Sequence, residues 1–549
     1  MDSPGDRFFI DPNNLPAAQP GSSVNNSSVG TARPAGVLPQ VPAGFEVSVF
    51  AEGLGRARWI EVAPNGDVLL SHPQTGDVLV LRDANGDGIA ETRTPLASGF
   101  VQPQGMAVGA DGLYVADLNA VWKVPYAPGD TAARGSAVAL TPAGVFGNTE
   151  GHTLRSLALA PDGRSFYVGI GSAANLAEEA PPRAAVLQFD SDGANPRVVA
   201  SGMRNPAGLE IDPATGALYA SVVERDGQGD DLVPDFLTRV QAGGFYGYPY
   251  AYIGPHPQAG FGQRPDLVAQ TLVPDVLFEA HSTPIGFTFY DARQFPDEYR
   301  GDAFVALRGS WNSSEPHGFM LAHVDVQNGV PVNGYDAFMT GFLLSDQPPP
   351  TAYGRPTTVA VASDGTLLVG DDIGGTIYRV RYAPQGDDGV NTLVGGGLGD
   401  SLIGLDGNDT LQGRDGADLL SGNLGADLLY GNTGADTLFG GRGGDTVYGG
   451  AEPDRLFGDL GNDELWGDRG ADTLTGGAGA DVFRFVGGSG SDVITDFDAA
   501  SGDRIGLVAG MTYTVAVGGA GEALLVFSAT DHILLSGIRA DQVMSGWFV

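Results

Sequence analysis

An aspartate recurs at every ninth residue between Asp400 and Asp481, and this period limits what the C-terminal part of the chain can fold into. Ten nine-residue units fill residues 395–484; each begins with glycine, and an apolar residue follows each aspartate by two positions. The pattern predicts a parallel β-roll of short strands and glycine-rich turns, with one inward apolar side chain per strand. The periodic aspartates are Asp400, Asp409, Asp418, Asp427, Asp436, Asp445, Asp454, Asp463, Asp472 and Asp481.

The turns of this repeat have the chemistry of a calcium-binding surface. Glycine adopts the positive φ angles that tight turns need, and carboxylate and carbonyl oxygens are the hard ligands that calcium prefers. The segment carries 16 acidic residues against five arginines, a net charge of −11, so we expect it to remain unfolded without metal. Leu398 and Glu452 replace the usual glycine at the fourth position, which predicts weaker sites there. A flexible Gly/Asp linker is the alternative.

The nonapeptide resembles the RTX calcium-binding repeat, and the sequence after it resembles the end of such proteins. VFRFVGGSGSDVITDFDAASGDRIGL is similar to the segment that closes serralysin-type rolls, and the tail ending in SGWFV resembles an uncleaved type I secretion signal. Residues 485–549 are therefore interpreted as a roll cap and export signal. The N-terminus lacks a basic segment followed by an apolar one. The resemblance implies an extracellular protein exported by type I secretion machinery.

Composition excludes several kinds of partner and cofactor. The formal charge of −37 argues against nucleic acid and anionic membranes, which require basic surfaces. No window of 18 apolar residues predicts membrane insertion. The absence of cysteine excludes disulfides, thiolate metal sites and covalently attached c-type haem. The length of 549 residues predicts at least two domains.

A second, weaker repeat extends over residues 41–384. Two short apolar strands with alternating hydrophobicity flank a glycine turn, as in a β-hairpin. Six such units predict a six-bladed β-propeller, so the fold class is all-β. Their turns are Asn65-Gly66, Asp111-Gly112, Asp162-Gly163, Thr215-Gly216, Gly301-Asp302 and Asp364-Gly365. The polar, Ser/Asn/Pro-rich residues 1–40 are predicted to be disordered, and residues 385–394 to form a linker.

Polar residues stand where the first strand of each predicted blade begins, which predicts that they meet at one mouth of the central channel. The alternative interpretation is that they are strand caps or partners of surface acids. The residues are Arg58, Gln104, Arg155 with His152 just before it, Arg204-Asn205, His281 and Arg355.

Several longer motifs resemble the glucose/sorbosone dehydrogenase family, including EGHTLRSLALAPDGRSFYVGIGS, GMRNPAGLEIDPATGALYAS and GRPTTVAVASDGTLLVGDDIGGTIYRV. The family consists of six-bladed quinoproteins that use pyrroloquinoline quinone (PQQ). The resemblance therefore implies oxidation of an aldose or ketoaldose at C1, with hydride transfer to the quinone. Because covalent haem is excluded, electrons would pass to an external acceptor.

The resemblance also assigns roles to residues. His152 is expected to act as the base for the sugar hydroxyl, since imidazole transfers protons efficiently near neutral pH. Arg204 and Asn205 match the pair beside the quinone oxygens, and Glu224 and Asp226, in VERDGQGDD, match the region that supplies calcium to the cofactor. Backbone carbonyls of this stretch are the alternative calcium ligands, and a solvated acidic loop without metal is the alternative interpretation. The remaining candidates for cofactor binding are Arg58, Gln104 (with Gln102 as a competitor), Arg155, His281, Arg308, Trp311 and Arg355.

A separate calcium loop is predicted in DANGDGIAE. Oxygen ligands alternate around a glycine turn there, as in the first part of an EF-hand loop. The candidate ligands are Asp83, Asn85, Asp87 and Glu91, and the alternative is a metal-free acidic turn. Two other functions remain open for the propeller: a non-catalytic, calcium-dependent adhesin or binding module, and a metal-dependent lactonase or esterase. The lactonase would need a carboxylate-rich channel, whereas these strand starts are rich in Arg and His.

Overall fold

The computed structural model describes residues 2–22, 24–147, 149–332, 334–508 and 510–549. The chain divides into two compact units. The first comprises residues 1–42, 47–292 and 299–380, and the second comprises residues 43–46, 293–298 and 381–549. Each unit is built almost entirely from β-strands.

The first unit contains six antiparallel sheets that follow one another along the chain, which confirms the predicted six-bladed propeller. The strands of blades 1 to 3, from the innermost outward, are Trp59–Val62, Val68–His72, Asp77–Arg82 and Thr92–Ser98 in blade 1; Met106–Gly109, Gly112–Ala116, Val121–Val124 and Val138–Ala139 in blade 2; and Arg155–Leu159, Ser165–Ile170, Ala185–Asp190 and Arg197–Ser201 in blade 3, with Gly244–Phe245 added in parallel.

Blades 4 to 6 repeat this arrangement, and the sixth blade closes the ring. Its outermost strand, Phe45–Ala51, precedes blade 1 in the sequence, so the two ends of the propeller sequence meet in one sheet. The strands are Pro206–Ile211, Leu218–Val222, Pro234–Arg239 and Val276–Ala280 in blade 4; Pro284–Phe289, Ala303–Arg308, Phe319–Val324 and Tyr335–Met339 in blade 5; and Pro356–Val361, Leu367–Asp371, Ile377–Tyr382 and Phe45–Ala51 in blade 6.

The inner hairpins form where the glycine turns predict them. Gly66, Gly163, Gly216 and Gly365 all have positive φ, a conformation that side-chain-bearing residues adopt at a cost. Apolar side chains from adjacent blades pack between the sheets, and most of them are less than 5% exposed. The remaining ordered elements are the helix Pro265–Gln270, the 3₁₀ turn Asp297–Tyr299, and the short strands Ala251–Tyr252, His256–Pro257, Val326–Gln327, Val330–Pro331, Leu343–Ser345 and Thr351–Ala352.

The N-terminal segment differs from the expectation of disorder. Arg7–Phe8 pairs with the outer edge of blade 5, and Val29–Gly30 pairs in parallel with Thr351–Ala352. The physical reason is that an outer blade strand has a row of unpaired backbone groups, which a polar segment can satisfy without an apolar core of its own. Composition alone does not reveal that edge.

The second unit is the predicted parallel β-roll, with two facing sheets. Strands of one sheet pair with strands 18 residues further on, because two nine-residue units make one turn. The first sheet contains Thr392–Val394, Thr410–Asp415, Leu428–Thr433, Thr446–Ala451, Glu464–Arg469, Val482–Phe485 and Arg504–Leu507. The second begins with Ser401–Ile403, Leu419–Leu424, Thr437–Gly443, Arg455–Gly461 and Thr473–Thr475.

The roll core consists of one apolar residue from each nine-residue unit, from Leu402 to Phe483, and each of these side chains is 0% exposed. The second sheet continues after the repeats with Ser491–Ile494, His532–Arg539, Glu522–Val526 and Thr514–Val517, and two 3₁₀ turns, Ala540–Gln542 and Ser545–Trp547, follow. Thr392–Val394 already pairs with Thr410–Gln412, so regular roll structure begins inside the segment interpreted as a linker. No helix in the described ranges is long and apolar enough to cross a membrane.

Candidate functional site

One end of the propeller channel collects two sets of polar residues. The innermost strands begin there, and the second strands, which run antiparallel to them, end there. Pro284 lies opposite Leu307 in blade 5, and Pro356 lies opposite Asp371 in blade 6, so Arg308 and Asp372 come next to the strand starts. We call this end the mouth.

Three of the predicted cofactor anchors meet around one carboxylate at the mouth. Arg58 Nη1 lies 3.0 Å from Asp372 Oδ2, Arg308 Nε lies 2.7 Å from the same oxygen, and Arg355 Nε lies 3.1 Å from Oδ1. The Asp372 side chain is fully buried, whereas each arginine side chain keeps about a fifth of its surface exposed. The guanidinium groups therefore have donors left for a ligand.

This arginine cluster is positively charged. Three guanidinium groups and one carboxylate give a formal net charge of +2. Burial, together with the positive charge of neighbouring Arg308, lowers the pKa of Arg58 to about 10. Burial opposes ionisation of Asp372, but the guanidinium groups, Arg308 first, hold its pKa below the ordinary value. Sequence reasoning missed Asp372, although its place directly after the strand Leu367–Asp371 was a usable signal.

His152 lies across the mouth beside Asn205. A Cβ atom on Gly171 would lie 2.6 Å from His152 Cβ and 2.4 Å from Asn205 Oδ1, so only glycine allows the two side chains to come together. Asn205 is 3% exposed, and its Oδ1 atom is buried without a hydrogen-bond partner in the part of the chain that the structure describes. An unpaired buried acceptor of this kind costs free energy unless a ligand satisfies it.

The surroundings of His152 set its tautomer and charge. Its Nδ1 atom lies 2.9 Å from the carbonyl oxygen of Ser172, which can only accept, so Nδ1 carries the proton and Nε2 has the free lone pair. Burial and the positive charge of Arg204 lower the pKa of His152 to about 4. The imidazole is therefore neutral at pH 7 and can accept a proton at Nε2.

Arg204 connects the mouth to the loop that follows the second strand of blade 4. Its guanidinium donates to the carbonyl oxygens of Glu224, at 2.5 Å, and Asn175, at 3.1 Å, and approaches Asp226 Oδ2 at 3.4 Å. Asp226 also accepts from Asn312 Nδ2 at 2.7 Å and lies 3.4 Å from His281 Nδ1. Arg204 and Asp226 are thus largely engaged within the protein, and His281 supports Asp226 rather than the arginine cluster.

Glu224 has the better geometry for a metal ligand. It is 2% exposed, Oε2 accepts from Arg225 Nε at 2.9 Å, and Oε1 is buried without a partner among the described residues. Asp235, which sequence reasoning missed, accepts the backbone N–H of Glu224 at 2.6 Å, and burial raises the pKa of Asp235 to about 7. An unsatisfied buried carboxylate oxygen is the kind of donor that calcium takes.

The other predicted anchors occupy different surroundings. Gln104 is buried, and its Nε2 donates to the carbonyl oxygen of Thr153, while Gln102 is exposed. Arg155 is 0% exposed and lies over the Phe146 ring, donating to the carbonyl oxygens of His152 and Leu154. Arg155 therefore supports the backbone of His152, whereas Trp311, 44% exposed, has its ring open to a ligand.

At the opposite end of the channel, Glu61 and Glu210 lie among the residues that line a cavity of about 230 Å³. Burial raises the pKa of Glu61 to about 7, and burial together with the charge of Glu61 raises that of Glu210 to about 8. These residues lie where the innermost strands of blades 1 and 4 end, so they are not part of the mouth.

The DANGDG loop connects the outer strands of blade 1. Asp83, Asp87 and Glu91 each offer one carboxylate oxygen, and these three oxygens lie within 4.8 Å of one another. Asn85 Oδ1 accepts the backbone N–H of Asp87 at 2.9 Å, and Asp83 accepts from Gly86 and Gly88 at 2.7 Å each. The four predicted residues are thus brought together in one exposed turn.

In the roll, the periodic aspartates form two ladders, one along each line of turns. The N–H of one aspartate donates to Oδ1 of the aspartate 18 residues later, for example Asp418 to Asp436 at 2.8 Å. Among the described residues, Oδ2 is buried and unpartnered in nine of the ten predicted aspartates. The exception is Asp400, whose Oδ2 accepts from Gly396 at 2.6 Å, in the unit where Leu398 replaces glycine.

Burial raises the pKa of the ladder carboxyls. The pKa rises to about 8 for Asp454, about 7 for Asp418, Asp463 and Asp472, and about 6 for Asp400 and Asp445. An ordered series of desolvated carboxylate oxygens is a set of hard anionic donors of the kind that calcium takes.

The ladder continues beyond the predicted units. Asp492 is 1% exposed, accepts from the N–H of Asp472 at 3.1 Å, and has a buried, unpartnered Oδ2 within the described ranges. It belongs to GGSGSDVIT, a repeat displaced by two residues from the period, and this displacement is why sequence reasoning missed it. Asp503 ends the other ladder, and its Oδ2 accepts from Asp498 N–H at 2.8 Å.

Comparisons with known families agree with both units. Residues 114–311 match the family model described as Glucose / Sorbosone dehydrogenase, and residues 267–383 match one described as TrAA12-like. Five overlapping segments within residues 385–483 match the RTX calcium-binding nonapeptide repeat. An uncharacterised protein of Borreliella burgdorferi is 26% identical over 356 residues, which cover 62% of this chain and 90% of that protein. These matches confirm both resemblances found in the sequence.

Two solved structures show the same fold as the propeller. The iodide structure of the Trichoderma reesei Carbohydrate-Active Enzymes Family AA12 protein has a TM-score of 0.55 at 19% identity, covering 65% of this chain and 100% of that chain. The holo form of the pyranose dehydrogenase PQQ domain from Coprinopsis cinerea has a TM-score of 0.54 at 18% identity, covering 65% of this chain and 100% of that chain. At such identities the likeness establishes architecture alone.

Proposed function

We propose that this chain, which joins a glucose/sorbosone dehydrogenase domain to RTX calcium-binding repeats, is a secreted quinoprotein that oxidises an aldose or ketoaldose at C1. The observation that carries the proposal is the arginine cluster. A formal charge of +2 from Arg58, Arg308, Arg355 and Asp372 faces a neutral His152 across one mouth. A cationic surface beside a neutral base suits an anionic redox cofactor and a hydroxyl-bearing substrate.

The residues of the mouth fit the chemistry of PQQ, a tricarboxylate with an ortho-quinone. Arg58, Arg308 and Arg355 would hold carboxylates through their outward donors, since guanidinium and carboxylate form charge-assisted hydrogen bonds. Asn205 and Arg204 would lie near the polar edge, and the exposed Trp311 ring would cover an aromatic face. When bound, PQQ supplies a carbonyl carbon that accepts hydride from the sugar.

The chain itself would supply the proton transfer. His152 Nε2 would take the proton of the sugar C1 hydroxyl, because Nδ1 already donates to the Ser172 carbonyl. Removal of that proton raises electron density at C1 and favours loss of the C1 hydrogen as hydride. Arg204, 4% exposed, places positive charge close to the reacting groups. Electrons would finally leave to an external acceptor.

Calcium would act at separate places in the two units. At the mouth, Glu224 Oε1 and neighbouring backbone carbonyls would hold a calcium ion, with Asp226 held close by Asn312 and Arg204. The DANGDG loop would bind calcium structurally through Asp83, Asn85, Asp87 and Glu91. In the roll, the unpartnered aspartate oxygens, including that of Asp492, would bind the ions that drive folding after type I export into calcium-rich surroundings.

The proposal is tested by adding calcium and PQQ to the purified full chain and following dye reduction with a panel of aldoses. We expect quinone-dependent turnover and cofactor binding that spectroscopy detects. His152→Ala should abolish turnover and leave cofactor binding largely intact, whereas His256→Ala, outside the mouth, should leave both unchanged. Absence of cofactor binding and of turnover in the wild type would refute the enzymatic assignment and favour the binding-module alternative.

A further inference from the structure

Part of the N-terminal segment runs along two loops at the rim of the mouth. We call residues 19–26 the strap; Ser23 lies outside the described residues. The N–H groups of Gln19 and Gly21 donate to the carbonyl oxygens of Gln228, at 2.8 Å, and Gly227, at 2.9 Å. Further along, the N–H of Asn26 donates to the carbonyl oxygen of Trp311 at 2.9 Å. The strap thus contacts loop A, residues 224–231, and loop B, residues 310–315.

Loops A and B carry Glu224, Asp226 and Trp311, and they are bonded to each other. Asn312 Nδ2 donates to Asp226 Oδ1 at 2.7 Å, and Ser314 N–H donates to Asp230 Oδ1 at 3.2 Å. Any displacement of loop B therefore pulls on Asp226, which in turn lies 3.4 Å from Arg204.

Asn26 is the residue that clamps the strap to loop B. It is 7% exposed, although the strap around it lies largely at the surface. Its Nδ2 group donates both hydrogens, to the carbonyl oxygens of Ser313 at 3.1 Å and Ser314 at 3.2 Å. With its backbone N–H included, Asn26 donates to the carbonyl oxygens of three residues of loop B, Trp311, Ser313 and Ser314.

Loop A needs such support because of its composition. Gly227 and Gly229 have φ values of 80° and 112°, and glycine loses more conformational freedom than other residues when it is ordered. A Cβ atom on Gly229 would lie 3.6 Å from Gln19, so the strap packs directly on this loop. Hydrogen bonds from the strap offset the entropy of holding the loop in one conformation.

We propose that Asn26 is a positioning residue, through which the strap holds loops A and B in the geometry that presents Trp311 and the Glu224–Asp226 region to a ligand at the mouth. Asn26 lies outside the ligand-contacting set and acts through the loop backbone. The consequence for catalysis rests on the proposed function, whereas the ordering of the loops does not.

The test compares Asn26→Ala and the nearly isosteric Asn26→Asp with Asn25→Ala. Asn25 is the exposed neighbour, and Asp at position 26 keeps the shape but removes both donors. Both Asn26 variants lose the two side-chain hydrogen bonds to loop B. Hydrogen–deuterium exchange of the full chain should therefore show amides of loops A and B exchanging on the order of 10-fold faster in both variants. Asn25→Ala should match the wild type, and thermal unfolding should confirm that all variants are folded.

Functional readouts then separate positioning from general destabilisation. With PQQ and calcium as probes, both Asn26 variants should bind the cofactor about 10-fold more weakly and show a raised KM, with kcat and its pH profile changed much less. Wild-type exchange and affinity in Asn26→Asp would overturn the proposal, as would equal effects of Asn25→Ala. If the wild type binds no PQQ, the proposed function fails, and the exchange experiment still decides the role of the strap.

Discussion

Removing calcium from the intact protein at pH 8 should unfold the roll, and lowering the pH should refold it without metal. Burial raises the pKa of six ladder aspartates to between about 6 and about 8, from an ordinary value near 3.8. The folded roll therefore binds more protons than the unfolded chain between pH 4 and pH 8. Its metal-free stability is greatest at low pH and is lost as pH rises through this range.

The size of the effect follows from these pKa values. One unit of pKa difference corresponds to about 1.4 kcal/mol. Between pH 5 and pH 8 the six groups together give an upper bound on the order of 15 kcal/mol, from folded-state pKa values of about 6 to about 8. Water reaching the turns reduces this value, but a third of it, about 5 kcal/mol, equals the whole stability of many domains.

The assay is limited proteolysis with mass spectrometry, supported by far-UV circular dichroism, on protein dialysed free of calcium between pH 5 and pH 9. Cleavage within residues 395–484 should appear as pH rises and disappear when calcium is added at pH 8. Asp454→Asn should move the alkaline transition upward without calcium and weaken calcium-driven refolding, while Asp406→Asn, at an exposed position outside the ladder, should do neither. A roll that stays protected at pH 8 without calcium, or melts on acidification, would refute this reasoning.

Three further predictions follow from single sites. Asp372→Asn should destabilise the cofactor-free propeller by about 3 kcal/mol in urea unfolding, because the substitution leaves three guanidinium groups without their carboxylate. Unchanged stability would contradict the role of Asp372 as the carboxylate that holds the arginine cluster together. Glu210→Gln should raise the free energy of unfolding by about 1 to 2 kcal/mol above pH 8 and leave it unchanged near pH 4, since the pKa of Glu210 is raised to about 8. Thermal unfolding at both pH values measures the difference. A gain in stability at low pH would contradict the prediction. Asp492→Asn should lower the calcium stoichiometry by one in equilibrium dialysis, whereas Asp503→Asn, whose Oδ2 is already partnered, should not; equal effects would exclude an extra site.

The fold was largely predictable because both units repeat. A strict period of nine specified the roll, and recurring glycine hairpins specified the blades. The exceptions share one physical cause, which is pairing that depends on a distant edge. Arg7–Phe8 pairs with the outer strand of blade 5, more than 300 residues away, where Arg7 donates to Asp336. Composition describes a segment by itself and cannot report such an edge.

The site was predictable only in part, for a related reason. Strand starts identified Arg58 and Arg355, and the family resemblance added Arg308, but the carboxylate that gathers them was missed. Asp372 lies 314 residues from Arg58 in the sequence. At the mouth, the second strand of each blade ends beside the start of the innermost strand. Half of the mouth therefore comes from residues that follow the second strands, and a search for polar residues at strand starts does not select them. Arg155 shows the converse, because it fits the rule yet bonds to backbone at His152.

Each unit holds an uncompensated charge whose sign is opposite to that of its proposed ligand. The arginine cluster keeps a formal +2 after its internal pairing with Asp372, and the roll ladders keep buried carboxylate oxygens that no donor reaches within the described residues. A protein stabilised only for its ligand-free state would pair these groups, as Asp503 Oδ2 is paired at the end of its ladder. The unpaired groups instead make ligand binding a source of stability, so calcium and PQQ should each raise the unfolding temperature, and each should do so through a different unit.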